Sequence, residues 1–224
     1  PVVLLHGGSG SWTHWLRNID ALVAAGREVV APDLPGFGDS HRPDGVEDAD
    51  GQLPWLEQGA QALFGDAALP VVGFSFGGLL AGMWAESHPA RLSGLVLVGA
   101  PALSDERLPP LPLRLWERAA PGPAREAIHR HNLRTLMLAR DESIDPLTVA
   151  LHAANLPRDR LRRRRLMLTD RLAQALPHIV CPVAGIWGAH DVLYRDRHAL
   201  IEAQLARAPI YGGLWMLDAG HWVQ

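Results

Sequence analysis

The chain has 224 residues, 48% of them hydrophobic and 20% charged, with a mean hydropathy of +0.01 and a formal net charge of −3. That is room for one domain, or one domain carrying an inserted subdomain, and it excludes two complete domains or disorder as the main state. A pI near 6.4 gives no electrostatic reason to expect nucleic acid or an anionic membrane as partner, so a small or neutral molecule is expected instead. All 21 basic residues are Arg, which removes Schiff-base, pyridoxal-phosphate, P-loop and kinase lysine chemistry together. The lone Cys181 forms neither an internal disulfide nor a cysteine metal cluster, and the cytoplasm is the expected compartment. No apolar run approaches the roughly 18 to 20 residues that span a bilayer, and no basic-headed signal peptide is present.

Taken in chain order, short apolar runs at 2–5, 28–31, 70–72, 95–98, 183–187 and 214–217 are rich in Val, Ile and Leu and punctuated by Gly, Pro or Asp. They predict buried parallel strands. Between them, 12–25, 50–64, 77–88 and 196–206 have the length and apolar spacing of crossover helices. The alternation predicts an α/β fold with a doubly wound, mostly parallel sheet. The rhythm breaks over 101–178, which holds no convincing strand and is punctuated by Pro109, Pro110, Pro112, Pro121, Pro123, Pro146 and Pro157. This stretch reads as an inserted helical subdomain, with helices expected near 111–119, 124–139, 146–154 and 158–175. The core is then 1–100 together with 179–224.

Gly73-Phe74-Ser75-Phe76-Gly77 follows one predicted strand and opens the next predicted helix, which is the context of a nucleophile elbow. Such a turn needs small flanking residues, lifts a serine hydroxyl above the strand ends and sets the next N–H at a helix N-terminus. A nucleophilic serine needs a base, and the base needs an orienting carboxylate. Asp191 and His221 each follow a later strand, so Ser75, Asp191 and His221 are expected as nucleophile, orienter and base, with Asp105 a second candidate for the acid. Acyl transfer also needs donors aimed at a developing oxyanion, and the backbone N–H groups of Gly8, in His6-Gly7-Gly8-Ser9-Gly10, and of Phe76 are expected to supply them. The glycines of that first turn do not form the G-x-G-x-x-G spacing of dinucleotide binding.

His6-Gly7-Gly8, Asp33-Leu34-Pro35-Gly36-Phe37-Gly38-Asp39-Ser40, Gly73 through Gly78, Gly188-Ala189-His190-Asp191 and Gly220-His221-Trp222 stand in the order in which similar motifs occur in the α/β-hydrolase superfamily. The sequence resembles that family over nearly its whole length. The resemblance implies that 101–178 is a helical cap shaping substrate choice. It also implies a strand pair before Pro1 and a helix after Gln224, hence a chain truncated at both ends. Within the family, a serine nucleophile sets aside the Asp-nucleophile epoxide hydrolases and haloalkane dehalogenases. Gly220-His221-Trp222 is similar to hydrolases that cleave carbon–carbon bonds in ring-fission products, but those commonly carry Asn where Phe74 stands. A carboxylesterase for small or medium apolar esters is the first reading; a carbon–carbon hydrolase and a non-catalytic binding protein of the same fold are the alternatives.

Phe74, Trp12 and Trp222, beside the elbow, the oxyanion turn and the base, are candidates to touch substrate. The cluster Arg160, Arg162, Arg163, Arg164 and Arg165 reads mainly as a solvated face of the subdomain, with Arg164 or a neighbour able to reach a substrate carboxylate. His129 and His131 would point about 200° apart on a helix, so no shared metal is expected, and no cofactor either.

Overall fold

The computed structural model describes residues 1–106, 110–161 and 163–224; Pro109 and Arg162, both weighed above, lie outside the described residues. Strand β1 is Val2–Leu5, followed by a single-turn 3-10 segment Trp12–Trp15 and helix α1, Leu16–Ala24. Then come β2 (Val29–Val30), α2 (Ala49–Phe64), β3 (Leu69–Phe74), α3 (Phe76–Ser87) and β4 (Leu92–Val98). After the strand-poor stretch, which holds α4 (Pro123–Asn132), α5 (Pro146–Asn155) and α6 (Arg171–Ala175), follow β5 (Val183–Gly188), α7 (His198–Leu205) and β6 (Tyr211–Leu217). The six strands form one parallel sheet in the order β2-β1-β3-β4-β5-β6. The α/β class with a doubly wound parallel sheet is therefore what the chain adopts.

Strand alternation divides the core into two layers, because successive side chains leave a strand on opposite faces. Val3 and Leu5 join the larger cluster with Leu79, Leu80 and Trp84 of α3, while Val2 and Leu4 pack with Trp15 and with Ile19 and Leu22 of α1. Helix α3 is buried from Phe76 to Ala85, all but its last two residues, which explains why its sequence lacks a polar stripe. Its Gly82 leaves the space that Leu172 of α6 fills. Leu172, Leu176 and Leu161, all from 101–178, thus belong to the main core.

Strand β6 begins three residues earlier than the apolar run suggests, since Gly212 and Gly213 read as breakers. The ladder passes from Val183 opposite Tyr211 to Ala184 opposite Gly213, so Gly212 is an extra residue in a bulge, with Gly213 at φ +113°.

Two expected helices are corrected. Residues 111–119 hold only a 3-10 turn, Trp116–Arg118, because the Arg114 backbone is engaged on both sides by the Asn132 side chain of α4. Residues 158–175 hold a 3-10 turn at Leu166–Leu168 and the five-residue α6. Here other acceptors take the backbone donors a helix would use: Arg160 N–H bonds Gly36 O across the fold and Leu161 N–H bonds the nearby Asp159 Oδ1, while the Arg160 side chain holds the same loop through Nη2 and the carbonyls of Gly38 and Ser40. Among the described residues of the arginine run, Arg160 straps the loop after β2 and Arg163 and Arg165 are exposed, but no helix carries them.

The end of α3, the body of α2 and the loop before β3 meet at Arg91, which is 7% exposed. Its guanidinium grips Glu57 Oε1 at 2.5 Å, Gln61 Oε1 and Gly65 O, while Trp84 Nε1 donates to Glu57 Oε2 at 2.8 Å. Burial works against the Glu57 carboxylate, yet the hydrogen bonds from Arg91 and Trp84 outweigh it and hold its pKa below the usual range. Removing one partner of a buried pair strands the other charge. Arg91→Met should therefore lower the unfolding free energy by about 3 kcal/mol in a urea titration at neutral pH, whereas a loss within a few tenths of a kcal/mol would show that the pair is dispensable.

Candidate active site

The strand order reverses direction between β1 and β3, which lie side by side with Leu5 opposite Gly73. The chain leaves both strands at the same edge in opposite directions, opening the crevice where open parallel sheets bind ligands. Strands β5 and β6 end level with one another, Gly188 opposite Leu217, so the loops bearing Asp191 and His221 emerge at that edge too.

Ser75 sits between β3 and α3 at φ +49°, ψ −119°, a conformation costly for a residue with a Cβ. Its neighbours must be small. A Cβ on Gly73 would lie 2.5 Å from Gly77 O, and one on Gly77 would strike the carbonyls of Leu5, the last residue of β1, and of His6 just after it. The turn is closed by Gly78 N–H donating to Ser75 O at 2.8 Å.

His221 Nδ1 donates to Asp191 Oδ2 at 2.8 Å, and its Nε2 lies 2.9 Å from Ser75 Oγ. With the proton of the neutral ring on Nδ1, Nε2 is the acceptor and the Ser75 hydroxyl donates to it. Asp191 is fully buried, and its other oxygen accepts Leu193 N–H at 2.9 Å, so the carboxylate is held from both sides. Asp105, the second candidate for the acid, lies exposed.

Above Ser75 and His221 lies a cavity of about 320 Å³ whose wall includes Gly8, Phe74 and Arg164. Much of the rest comes from the 101–178 stretch, with Leu136, Met137, His152, Leu156 and Met167 all facing it. Phe76 is the first residue of α3, where a backbone N–H has no acceptor within its own helix. Phe74 is fully buried beneath the site, its ring 5.2 Å from that of His221.

Two residues expected at the substrate are not brought to this cavity. Trp12 is 40% exposed, its backbone N–H tied to Asp33 Oδ1, and its ring does not line the wall. Trp222 turns away to pack its ring at a tilt against His14, 4.8 Å between centres, and to donate from Nε1 to His14 O at 3.1 Å, while its backbone N–H binds Met137 O. It anchors the loop of His221 to the 101–178 stretch.

The sequence reading passed over two histidines that hold the turn after β1. His6 Nδ1 donates to Gly7 O at 2.8 Å and its Nε2 accepts Leu34 N–H at 2.9 Å, which fixes a neutral tautomer. His14 Nδ1 accepts Gly7 N–H at 3.2 Å. Gly7 is thus gripped at both its polar groups, and Gly8 follows from a fixed point. The signal was a histidine directly before a Gly-Gly turn, with a second eight residues on.

Burial holds these imidazoles neutral. It lowers the His6 pKa to about 4, takes His14 well below its ordinary value with help from neighbouring histidines, and lowers His152 to about 4. Once unfolded, each would take up a proton below about pH 6.5. The unfolded state then binds more protons than the native one, so stability is full above that pH and lost as the pH falls towards 4. For His6 alone the shift from 6.5 to about 4 corresponds to roughly 3 kcal/mol. Urea midpoints should drop steeply between pH 6.5 and 4.5, and His6→Gln should make that slope shallower; equal slopes would remove His6 from the account.

The whole chain, residues 1–224, matches the alpha/beta hydrolase fold family. It is similar to a 2-hydroxy-6-oxononadienedioate/2-hydroxy-6-oxononatrienedioate hydrolase of a Pseudomonas species, 28% identical over 249 residues, covering 100% of this chain and 82% of that protein. It is 31% identical over 216 residues to the pimeloyl-acyl-carrier-protein methyl ester esterase of Aeromonas hydrophila, covering 95% of this chain and 76% of the other. Among solved structures, a thermophilic esterase from Thermogutta terrifontis superposes with a TM-score of 0.76 at 25% identity, over 99% of this chain and 82% of that one. With the parallel sheet, the strained serine turn and the matching sequence from end to end, this chain belongs to the alpha/beta hydrolase family.

Proposed function

We propose that the protein is a serine hydrolase cleaving small or medium apolar carboxylic esters through an acyl-enzyme. The observation that carries the reading is the continuous hydrogen-bonded chain from Ser75 Oγ through His221 to buried Asp191, opening onto a cavity large enough for a small substrate. His221 Nε2 takes the hydroxyl proton as Ser75 Oγ attacks the ester carbonyl, and Asp191 stabilises the imidazolium formed. The oxygen that gains charge is received by the N–H groups of Gly8 and Phe76, the latter favoured by the N-terminal dipole of α3. His221 then returns its proton to the departing alcohol, leaving the acyl group on Ser75. Water attacks in the second half, giving its proton to His221, and the carboxylic acid leaves as Ser75 is restored.

The 101–178 stretch acts here as a cap, since most of the cavity wall opposite the triad is drawn from it. Its leucines and methionines favour an apolar acyl or alcohol group. The reading calls for a small-molecule substrate, with no metal, organic cofactor, nucleic acid or membrane, and for action in the cytoplasm, where the lone buried Cys181 stays reduced. Among the described residues no helix is long and apolar enough to cross a membrane.

A second reading, carbon–carbon bond hydrolysis, is favoured by the similarity to the Pseudomonas hydrolase along the whole chain. Turnover of a p-nitrophenyl ester chain-length series, run beside a vinylogous diketo acid, separates the two. Ser75→Ala should reduce ester turnover by about a thousandfold or more with an unchanged thermal midpoint, and His221→Ala by a comparable factor. The double variant should lose no more than either, because the members act as a unit. Ordinary activity in Ser75→Ala would overturn the nucleophile assignment, whereas a wild type that turns over neither substrate would leave a binding protein of the same fold as the remaining reading.

A further inference from the structure

Arg164 stands on the wall of the catalytic cavity beside Gly8, its guanidinium carbon lying 5.6 Å from the centre of the Phe37 ring and 6.0 Å from that of Phe76. A cation so placed is suited to a substrate carboxylate. The structure gives it a different partner. Arg164 Nη1 donates to Asp159 Oδ2 at 2.7 Å, and the two side chains are only 19% and 10% exposed. Ser9 closes the triangle, donating from Oγ to the same Asp159 oxygen at 2.6 Å and accepting from Arg164 Nη2 at 3.2 Å. Asp159 Oδ1 is engaged as well, by Leu161 N–H at 3.0 Å.

We infer that Asp159 is a specificity-determining residue: by pairing with Arg164 on the cavity wall, it withholds that cation from the ligand and directs the site to acyl groups that carry no charge. The physical reason lies in the low exposure of the pair. A carboxylate entering the cavity must compete with Asp159 for a guanidinium already desolvated and bonded, and an Asp159 anion displaced from it would keep the Ser9 hydroxyl and the Leu161 N–H but be left buried without a counter-charge. A neutral acyl chain meets no such cost. The inference rests on the esterase reading only in treating the ligand as an acyl group, since the pairing itself is independent of any reaction.

The test compares two unreactive ligands of the same shape, 4-methylpentanoate and 4-methylpentanamide, by calorimetric titration. The wild type should bind the amide at least as tightly as the carboxylate; a wild type favouring the carboxylate overturns the proposal whatever the variants do. Asp159→Asn keeps the size of the side chain and removes its charge, and should shift the affinity ratio towards the carboxylate by about tenfold or more. Adding Arg164→Gln should return the ratio to its wild-type value. An unchanged ratio in a folded Asp159→Asn protein, no carboxylate binding by it, or a gain that survives Arg164→Gln each count against the inference. Hydrolysis of 4-nitrophenyl pentanoate and 4-nitrophenyl hydrogen glutarate is followed in parallel. If neither ester is cleaved while the binding ratios shift as expected, the esterase reading falls and the role of Asp159 stands.

Discussion

Everything at the site depends on β1 lying directly beside β3 with Leu5 opposite Gly73. In a parallel sheet all strand ends of one polarity share an edge, and only where the winding reverses do two neighbouring chains part and leave a crevice. That pairing brings the turn after β1 against the elbow after β3 so closely that Gly77 has no room for a Cβ beside the carbonyls of Leu5 and His6. The left-handed backbone at Ser75 is a local cost that the buried α3 and the six-stranded sheet together sustain.

Around this junction the polar groups are held by uncharged partners. His6 and His14 fix Gly7 through its carbonyl and its N–H, and burial keeps both rings neutral. A charged imidazole at either place would lose an acceptor and weaken the turn, so positioning of Gly8 and acid sensitivity of the fold share one cause. Asp191, in contrast, is an acceptor on both oxygens, and that is what aims the His221 proton away from Ser75.

The 101–178 stretch is tied to the core at several points instead of hinging freely at two. Leu161, Leu172 and Leu176 share the main core, Trp222 N–H bonds Met137 O, and the Asp159–Arg164 pair reaches Ser9. Of these, Met137, Arg164 and Ser9 also face the cavity, which joins the attachment of the stretch to the shape of the site.

Much of this was legible in the amino-acid order itself. Alternating Val-rich runs and amphipathic or buried helical runs determine a parallel sheet, because local periodicity and length decide which faces can be buried. The elbow and the order Ser75, Asp191, His221 were equally readable, since small residues around a serine at a strand-to-helix turn are a local steric requirement. The tertiary structure alone decided what depends on distant partners. Residues 158–175 have helical spacing, yet the loop after β2 takes the donors of Arg160 while the side chain of Asp159 takes the Leu161 N–H, and the helix does not form. Trp222 adjoins His221 in sequence but is drawn to His14, and Arg164 looks like a free cation until Asp159 and Ser9 close around it. Backbone propensity acts over a few residues, whereas the contacts of Arg160 with the loop after β2 and of Ser9 with Asp159 and Arg164 form only when segments more than a hundred residues apart meet.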